Sequence, residues 1–262
     1  MNLCFSTLGC TARPLNDILA LCDRFDISRL EIRGIGGELD PRKIPEFSDG
    51  ERQKTVSQFR LAGVTPQVIE TSCAFHHPEK RDDTISEGLA AISIADSLGA
   101  MGIRVFGDRF VNDPKETTRN VIDGISELIE KTPGNNASVL LEVHGDFHTV
   151  ESLSPILYAF KNEPRFGLIW DIAHTHAAYG ENWKTFYEAV APFVRHVHIK
   201  DARAEELTLP GEGEIPILPI VRQLLRDGYD GAFSLEWEKN WHPELPPIET
   251  ALEQFVSLMN MV

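Results

Sequence analysis

The 262-residue chain has only four cysteines, and Cys4, Cys10, Cys22 and Cys73 form no C-x-x-C pair. Their spacing suits neither a zinc ribbon nor a disulfide framework, so a reducing, cytoplasmic home is the expectation. No apolar run comes near the roughly 20 residues that a membrane span needs. The opening segment MNLCFSTLGC carries a Leu-Gly-Cys triplet but lacks a basic start and a long apolar stretch, so it reads as a first strand and not as an export signal. Positive charge is scarce: 25 Lys and Arg against 40 Asp and Glu leave a formal net charge of −15. So acidic a chain repels nucleic-acid phosphates and anionic membrane, which excludes both as expected partners. A glycine-rich phosphate cradle is also missing. The turn TLGCTARP contains no G-x-G-x-x-G, and Gly34, Gly36 and Gly37 read as a loop. That counts against a doubly wound dinucleotide-binding sheet and favours an unphosphorylated substrate.

What is present is a regular alternation of strand and helix. Apolar runs predict strands at Leu3–Ser6, Arg29–Arg33, Thr65–Ile69, Ile103–Phe106, Ser138–Val143, Gly167–Asp171, Val194–Lys200 and Ala232–Trp237. Between and after them run helical stripes. Ile85, Leu89, Ile92 and Ala95 form one; Val121, Ile125, Leu128 and Ile129 another. The spacing recurs in Leu153, Ile156, Leu157 and Phe160, in Ile217, Ile220, Val221 and Leu224, and in Ile248, Leu252, Phe255 and Met259. Gly63, Gly99 and Gly228 each stand where a helix should stop. Eight strand–helix units without a linker predict a single (β/α)8 barrel over residues 1–262. The irregular stretches Gly34–Asp49, Cys73–Asp83 and Asp201–Pro216 all come directly after strands, which puts them on the catalytic face of such a barrel.

Four strand ends carry polar residues: Glu142 in VLLEVH, Asp171 in LIWDIAH, His198 in HVHIKD and Glu236 in FSLEWE, at intervals of 29, 27 and 38 residues. A charge at the tip of an apolar strand is costly unless something compensates it. Alternation places Leu140, Glu142 and His144 on one face, His196, His198 and Lys200 on another, and Ser234, Glu236 and Glu238 on a third. Any one of these four residues alone reads as half of a buried structural ion pair. Four at consecutive strand ends read as ligands of one divalent cation: Glu142, Asp171, His198 and Glu236. Three oxygens and one nitrogen suit manganese or magnesium best and are compatible with cobalt or zinc. Four protein ligands leave room for two substrate oxygens on a six-coordinate ion.

These motifs resemble the xylose-isomerase-like TIM-barrel superfamily of sugar isomerases, epimerases and keto-sugar dehydratases. The resemblance covers essentially the whole chain and is most specific from Leu140 to Glu238. Glu142, Asp171, His198 and Glu236 fall at that family's Glu–Asp–His–Glu metal site. The step from Asp171 to His174 matches its pairing of a ligand with a substrate-contacting histidine, while HVHIKD, GEGEIP (Gly211–Pro216) and SLEWE match its later motifs. The resemblance implies proton abstraction beside a carbonyl, with Glu142 and Glu236 as acid/base residues on opposite sides of the substrate. Isomerisation or epimerisation of a keto-sugar or small hydroxy-carbonyl compound is the leading expectation, and dehydration of a cyclic polyol ketone or related acid the alternative. It further implies that His174 holds a substrate hydroxyl, that Lys200 stabilises an oxyanion and that Arg203 binds substrate. His76, in the loop after the third strand, is a further substrate-binding candidate. Glu31 and Arg33 share a face at the second strand end, as an ion pair or part of the rim; Trp183, Trp237 and Trp241 read as core or rim packing. An apurinic endonuclease of the same superfamily carries an Asp-x-His before its Gly-Glu-Gly turn. Here Leu207, Thr208, Leu209 and Pro210 stand there, and the acidic charge opposes DNA binding. A small sugar or polyol is therefore the expected partner. A homo-oligomer is compatible with the sequence, which does not fix the number of copies.

Overall fold

The computed structural model describes residues 1–111, 113–204 and 206–262. In chain order the elements are β1 (Asn2–Ser6), α1 (Leu15–Arg24), β2 (Arg29–Ile32), α2 (Arg52–Ala62), β3 (Thr65–Ala74), α3 (Arg81–Leu98), β4 (Gly102–Phe106) and α4 (Pro114–Glu130). They continue as β5 (Ser138–Glu142), α5 (Val150–Ala159), β6 (Phe166–Asp171), α6 (Ile172–Tyr179), α7 (Trp183–Val190), β7 (Val194–Ile199), β8 (Asp201–Arg203), β9 (Glu206–Thr208), α8 (Ile217–Arg226), β10 (Ala232–Leu235) and α9 (Ile248–Met259). Eight parallel strands close in the order β1-β10-β7-β6-β5-β4-β3-β2, a (β/α)8 barrel as the alternation predicts. Register fixes which ends meet: Asp171 lies beside His198, and His198 beside Ser234.

The helical stripes face the strands. Ile217, Ile220, Val221 and Leu224 of α8 are buried, as are Ile248, Leu252, Phe255 and Met259 of α9. They join one continuous apolar layer between helices and barrel, in which each such side chain contributes about 1.5–3 kcal/mol by leaving water. Helix starts carry local caps: Asp113 accepts from Lys115 N at 3.0 Å, and Thr149 from Ser152 N at 3.2 Å. The glycine stops hold, with left-handed φ of 66° at Gly63, 69° at Gly99 and 83° at Gly228.

Inside the barrel a much smaller apolar cluster, Val68, Leu140 and Ile169 with Met101 packed on it, forms a separate core. Two residues further along their strands stand Glu70, Glu142 and Asp171, because side chains two apart share a face. The sequence pattern misses three features. β3 runs on to Ala74, five residues past the predicted end, and so carries Glu70 and Ser72 towards the mouth. Two helices, α6 and α7, stand between β6 and β7. Asp201–Pro216 is not wholly irregular, since β8 and β9 pair as an antiparallel ribbon. The buried Asp201 carboxylate organises the turn between that ribbon and α8. It accepts from Gly211 N at 2.7 Å, Gly213 N at 2.9 Å and Ile215 N at 3.2 Å. A side chain at Gly213 would collide with that carboxylate, which accounts for the second glycine of GEGEIP as a packing requirement.

Candidate metal centre

Each member of the cluster is placed by a different local device. Asp171 ends β6 and caps α6: its Oδ1 accepts from Ala173 N at 2.8 Å and His174 N at 3.2 Å, so Oδ2 is left for the barrel axis. Glu142 is the last residue of β5, His198 the fifth of β7, and Glu236 comes directly after β10. All four are buried, and one ligand atom from each lies within 4.8 Å of the other three. His198 Nδ1 is 3.0 Å from Glu236 Oε2 and 3.8 Å from Glu142 Oε1. Ligands about 2.1 Å from a hard ion stand about 3.0 Å apart when adjacent and about 4.2 Å when opposite. Glu142 Oε2, Asp171 Oδ2, Glu236 Oε2 and His198 Nδ1 are buried, and their contacts are ion pairs with Arg104, Lys200 and one another. Spacing and donor set together fit a divalent cation.

Two cations of the chain itself balance these acids. Lys200 Nζ lies 2.8 Å from Asp171 Oδ2, 2.6 Å from Glu236 Oε2 and 2.5 Å from Glu238 Oε1. Arg104 Nη1 lies 2.5 Å from Glu70 Oε2, 3.2 Å from Glu142 Oε2 and 3.4 Å from Glu236 Oε1. Ion pairing and ligand clustering, opposed readings in the sequence, therefore coexist. Below them Glu31 joins His198, His196 and Ser234 in a sealed layer.

Burial and neighbouring charge drive these groups apart. Burial, together with the Glu236 charge, raises Glu142 to about 8 in spite of Arg104, His198 and Lys200. Burial also lifts Glu70 to about 7, against the pull of Arg104. Glu236 is buried as well, yet His198 and Lys200 outweigh that and hold it well below the usual carboxylate range. For Asp171 burial is overcome by Lys200 and His174, and the group is held low. Lys200 and His198 are raised because nearby carboxylates outweigh their own desolvation.

Glu142 and Glu236 line a cavity of about 280 Å³ at the barrel mouth, with Arg33, Arg104, His144 and Lys200 around them. That is below the usual range of ligand pockets and suits a small polar molecule. His174 does not line it. Its ring stands edge-on to that of His144, centroids 4.4 Å apart, and burial lowers its pKa. His76 lies behind Asp108, 3.6 Å from Oδ2. Arg203 is placed elsewhere: it belongs to the ribbon strand β8, and its guanidinium donates to Glu212 O at 2.6 Å in an exposed position. Arg33 forms no ion pair with Glu31; it donates to Leu39 O and Ser72 Oγ, both at 2.9 Å. Trp183 and Trp237 are buried, whereas Trp241 lines the cavity. Sequence reasoning missed Glu70 and Arg104. The signal was there: an arginine inside the apolar strand Gly102–Phe106, and a period of two through Val68, Glu70 and Ser72.

The family profile described as xylose isomerase-like TIM barrel matches residues 25–258. An inosose dehydratase of Lacticaseibacillus casei is 24% identical over 243 residues, covering 82% of this chain and 78% of the relative. Among solved structures, a D-tagatose 3-epimerase-like protein superposes with a TM-score of 0.77 at 21% identity, covering 99% of this chain and 96% of that one. The IOLI protein, solved with a bound zinc atom, superposes with a TM-score of 0.79 at 19% identity, covering 97% and 95%.

Proposed function

The chain belongs to the xylose isomerase-like TIM barrel family, and from that premise we propose that it is a divalent-metal-dependent isomerase or epimerase of a keto-sugar or small hydroxy-carbonyl compound. The observation that carries the reading is the convergence of Glu142, Asp171, His198 and Glu236 beside a small polar cavity. These four hold the ion. Manganese or magnesium matches the oxygen-rich donor set, and the zinc of the IOLI protein keeps zinc in view. When bound, the ion supplies positive charge that polarises a substrate carbonyl.

The protein's own residues do the rest. Glu142 and Glu236 come from strands separated by β6 and β7 in the barrel, so they approach the cavity from different sides. One takes a proton from the carbon next to the carbonyl, and the other, protonated from solvent, delivers a proton of its own, to the neighbouring carbon in isomerisation or to the opposite face in epimerisation. Arg104 holds Glu142 Oε2 and Glu236 Oε1 through one nitrogen and so fixes the two carboxylates relative to each other. Lys200 supplies a buried positive charge at the cavity wall for a developing oxyanion. His174, packed on the cavity-lining His144, orients it towards a substrate hydroxyl.

A second reading is dehydration of a cyclic polyol ketone or related acid, which the inosose dehydratase relative favours. One experiment separates them. Metal-loaded protein is incubated with ketoses, inososes and hydroxypyruvate in deuterated water and followed by proton NMR. Deuterium uptake with no loss of water is the expected result; a new enone or diketone establishes the second reading. Exchange that survives both chelation and Glu236→Gln sinks the mechanism.

A further inference from the structure

Beneath the candidate metal centre lies a second group of potential ligands, Glu31, His196 and His198, all fully buried. His198 belongs to both groups. Its Nδ1 faces Glu236 and Glu142, and its Nε2 lies 2.9 Å from Glu31 Oε1. His196 Nε2 is 3.1 Å from Glu31 Oε2, and Ser234 Oγ donates to the same oxygen at 2.7 Å. Among the described residues no lysine or arginine pairs with Glu31. Its close polar neighbours are one hydroxyl and two ring nitrogens, each able to donate.

An ionised carboxylate only accepts hydrogen bonds. With an ion on the Nδ1 side, where Glu236 Oε2 stands 3.0 Å away as a rival acceptor, the one proton of a neutral His198 ring would sit on Nε2 against Glu31 Oε1, leaving the Nδ1 lone pair to the ion. The opposite tautomer would set two lone pairs against each other at Glu31 and point an N–H at the ion. We infer that Glu31 is a positioning residue, which locks His198 in the Nε2–H tautomer and thereby presents Nδ1 to the metal. A carboxylate behind a ligating histidine orients the ring and raises its basicity, and loss of such a partner typically weakens metal binding by roughly 10–100-fold. The group is better suited to this role than to a second ion, since both oxygens of Glu31 are already engaged, Oε1 by His198 and Oε2 by His196 and Ser234.

The inference rests on the metal-centre reading, and the test keeps the two apart. Zinc is titrated into wild-type protein, Glu31→Gln and Glu31→Asp by calorimetry, and the metal content is counted. The histidine tautomers of the zinc-loaded, ¹⁵N-labelled proteins are read by NMR. Wild-type protein should bind one zinc per chain, with His198 protonated at Nε2 and metal-bound at Nδ1. Glu31→Gln, whose amide must offer a donor to one of its three neighbours, should bind roughly 10–100-fold more weakly, and Glu31→Asp should recover part of the loss. Zinc uptake by Glu31→Gln as tight as wild type, or His198 bound through Nε2, overturns the role of Glu31 alone. Two zinc ions in wild type falling to one in Glu31→Gln make Glu31 a ligand and overturn it as well. Wild-type protein that takes up no zinc overturns both readings. The tautomer of wild-type His198 decides the matter even where Glu31→Gln does not fold.

Discussion

The barrel strands have two faces that obey different rules. Their outer faces meet the helices in a layer made mostly of Leu, Ile, Val and Phe, whereas the inner faces turn from Val68, Leu140 and Ile169 to a lattice of charge within two residues. Burial of apolar surface needs no specific partner, so the outer layer tolerates many arrangements of similar volume. The inner lattice does not: Arg104 touches three carboxylates, Lys200 three, and Glu31 two histidines. The first face stabilises the fold without specific partners; the second supplies the chemistry and holds together only while its charges stay paired.

The sharpest way to break this comparison is to remove chemistry without removing fold. Glu236→Gln should lower the rate of proton exchange by about 10²–10⁴-fold while the far-ultraviolet circular dichroism stays that of wild type. Next comes Arg104→Met, which leaves Glu70, Glu142 and Glu236 without their shared cation. Loss of one partner in a buried ion pair costs about 3–5 kcal/mol, so denaturant unfolding should show a penalty at least matching the about 2–5 kcal/mol of Leu224→Ala in the outer layer. A penalty well below that of Leu224→Ala would mean that the inner lattice carries little of the fold.

The third test uses pH. Glu142 is raised to about 8 and His198 is raised as well, so both hold protons near neutrality that a cation must displace. A group raised in the folded state adds stability that is lost as pH rises through its folded value. For Glu142 that loss falls between its ordinary value of 4.5 and about 8. Protein without a bound divalent ion should lose this contribution as pH climbs from 6 to 8, while the gain in Tm on adding manganese should grow. The manganese Kd should fall by about tenfold per pH unit for each proton released; a Kd independent of pH over that interval removes Glu142 from the ligand set. The smallest effect belongs to Arg203→Ala. With its guanidinium on Glu212 O in the ribbon, its loss should change stability by no more than about 0.5 kcal/mol and leave KM for the substrate found in the exchange assay unchanged.

The outer layer could be read from the chain because each helix writes its buried face as a period that local sequence displays. The stripe from Ile217 to Leu224 and the left-handed stops at Gly63, Gly99 and Gly228 are of this kind. Glu142, Asp171, His198 and Glu236 were legible for a related reason, a polar residue ending an apolar run. Glu70 and Arg104 were overlooked since β3 continues past Ile69, and a charge inside a strand names no partner 34 or 132 residues away. Arg203 shows the converse error: its place just after β7 suggested the mouth, but the β8–β9 ribbon carries it into solvent.

Sequence alone determined the eight-fold alternation, the helix faces and four of the polar residues at the barrel mouth, for these depend on neighbours within one or two turns of chain. Closure of the sheet decided which acid shares which cation, that Glu31 meets His198, and that Arg203 does not reach the cavity. Those pairings join residues on different strands, 132 positions apart for Arg104 and Glu236 and 167 for Glu31 and His198, and only strand order and register bring such atoms within hydrogen-bonding distance.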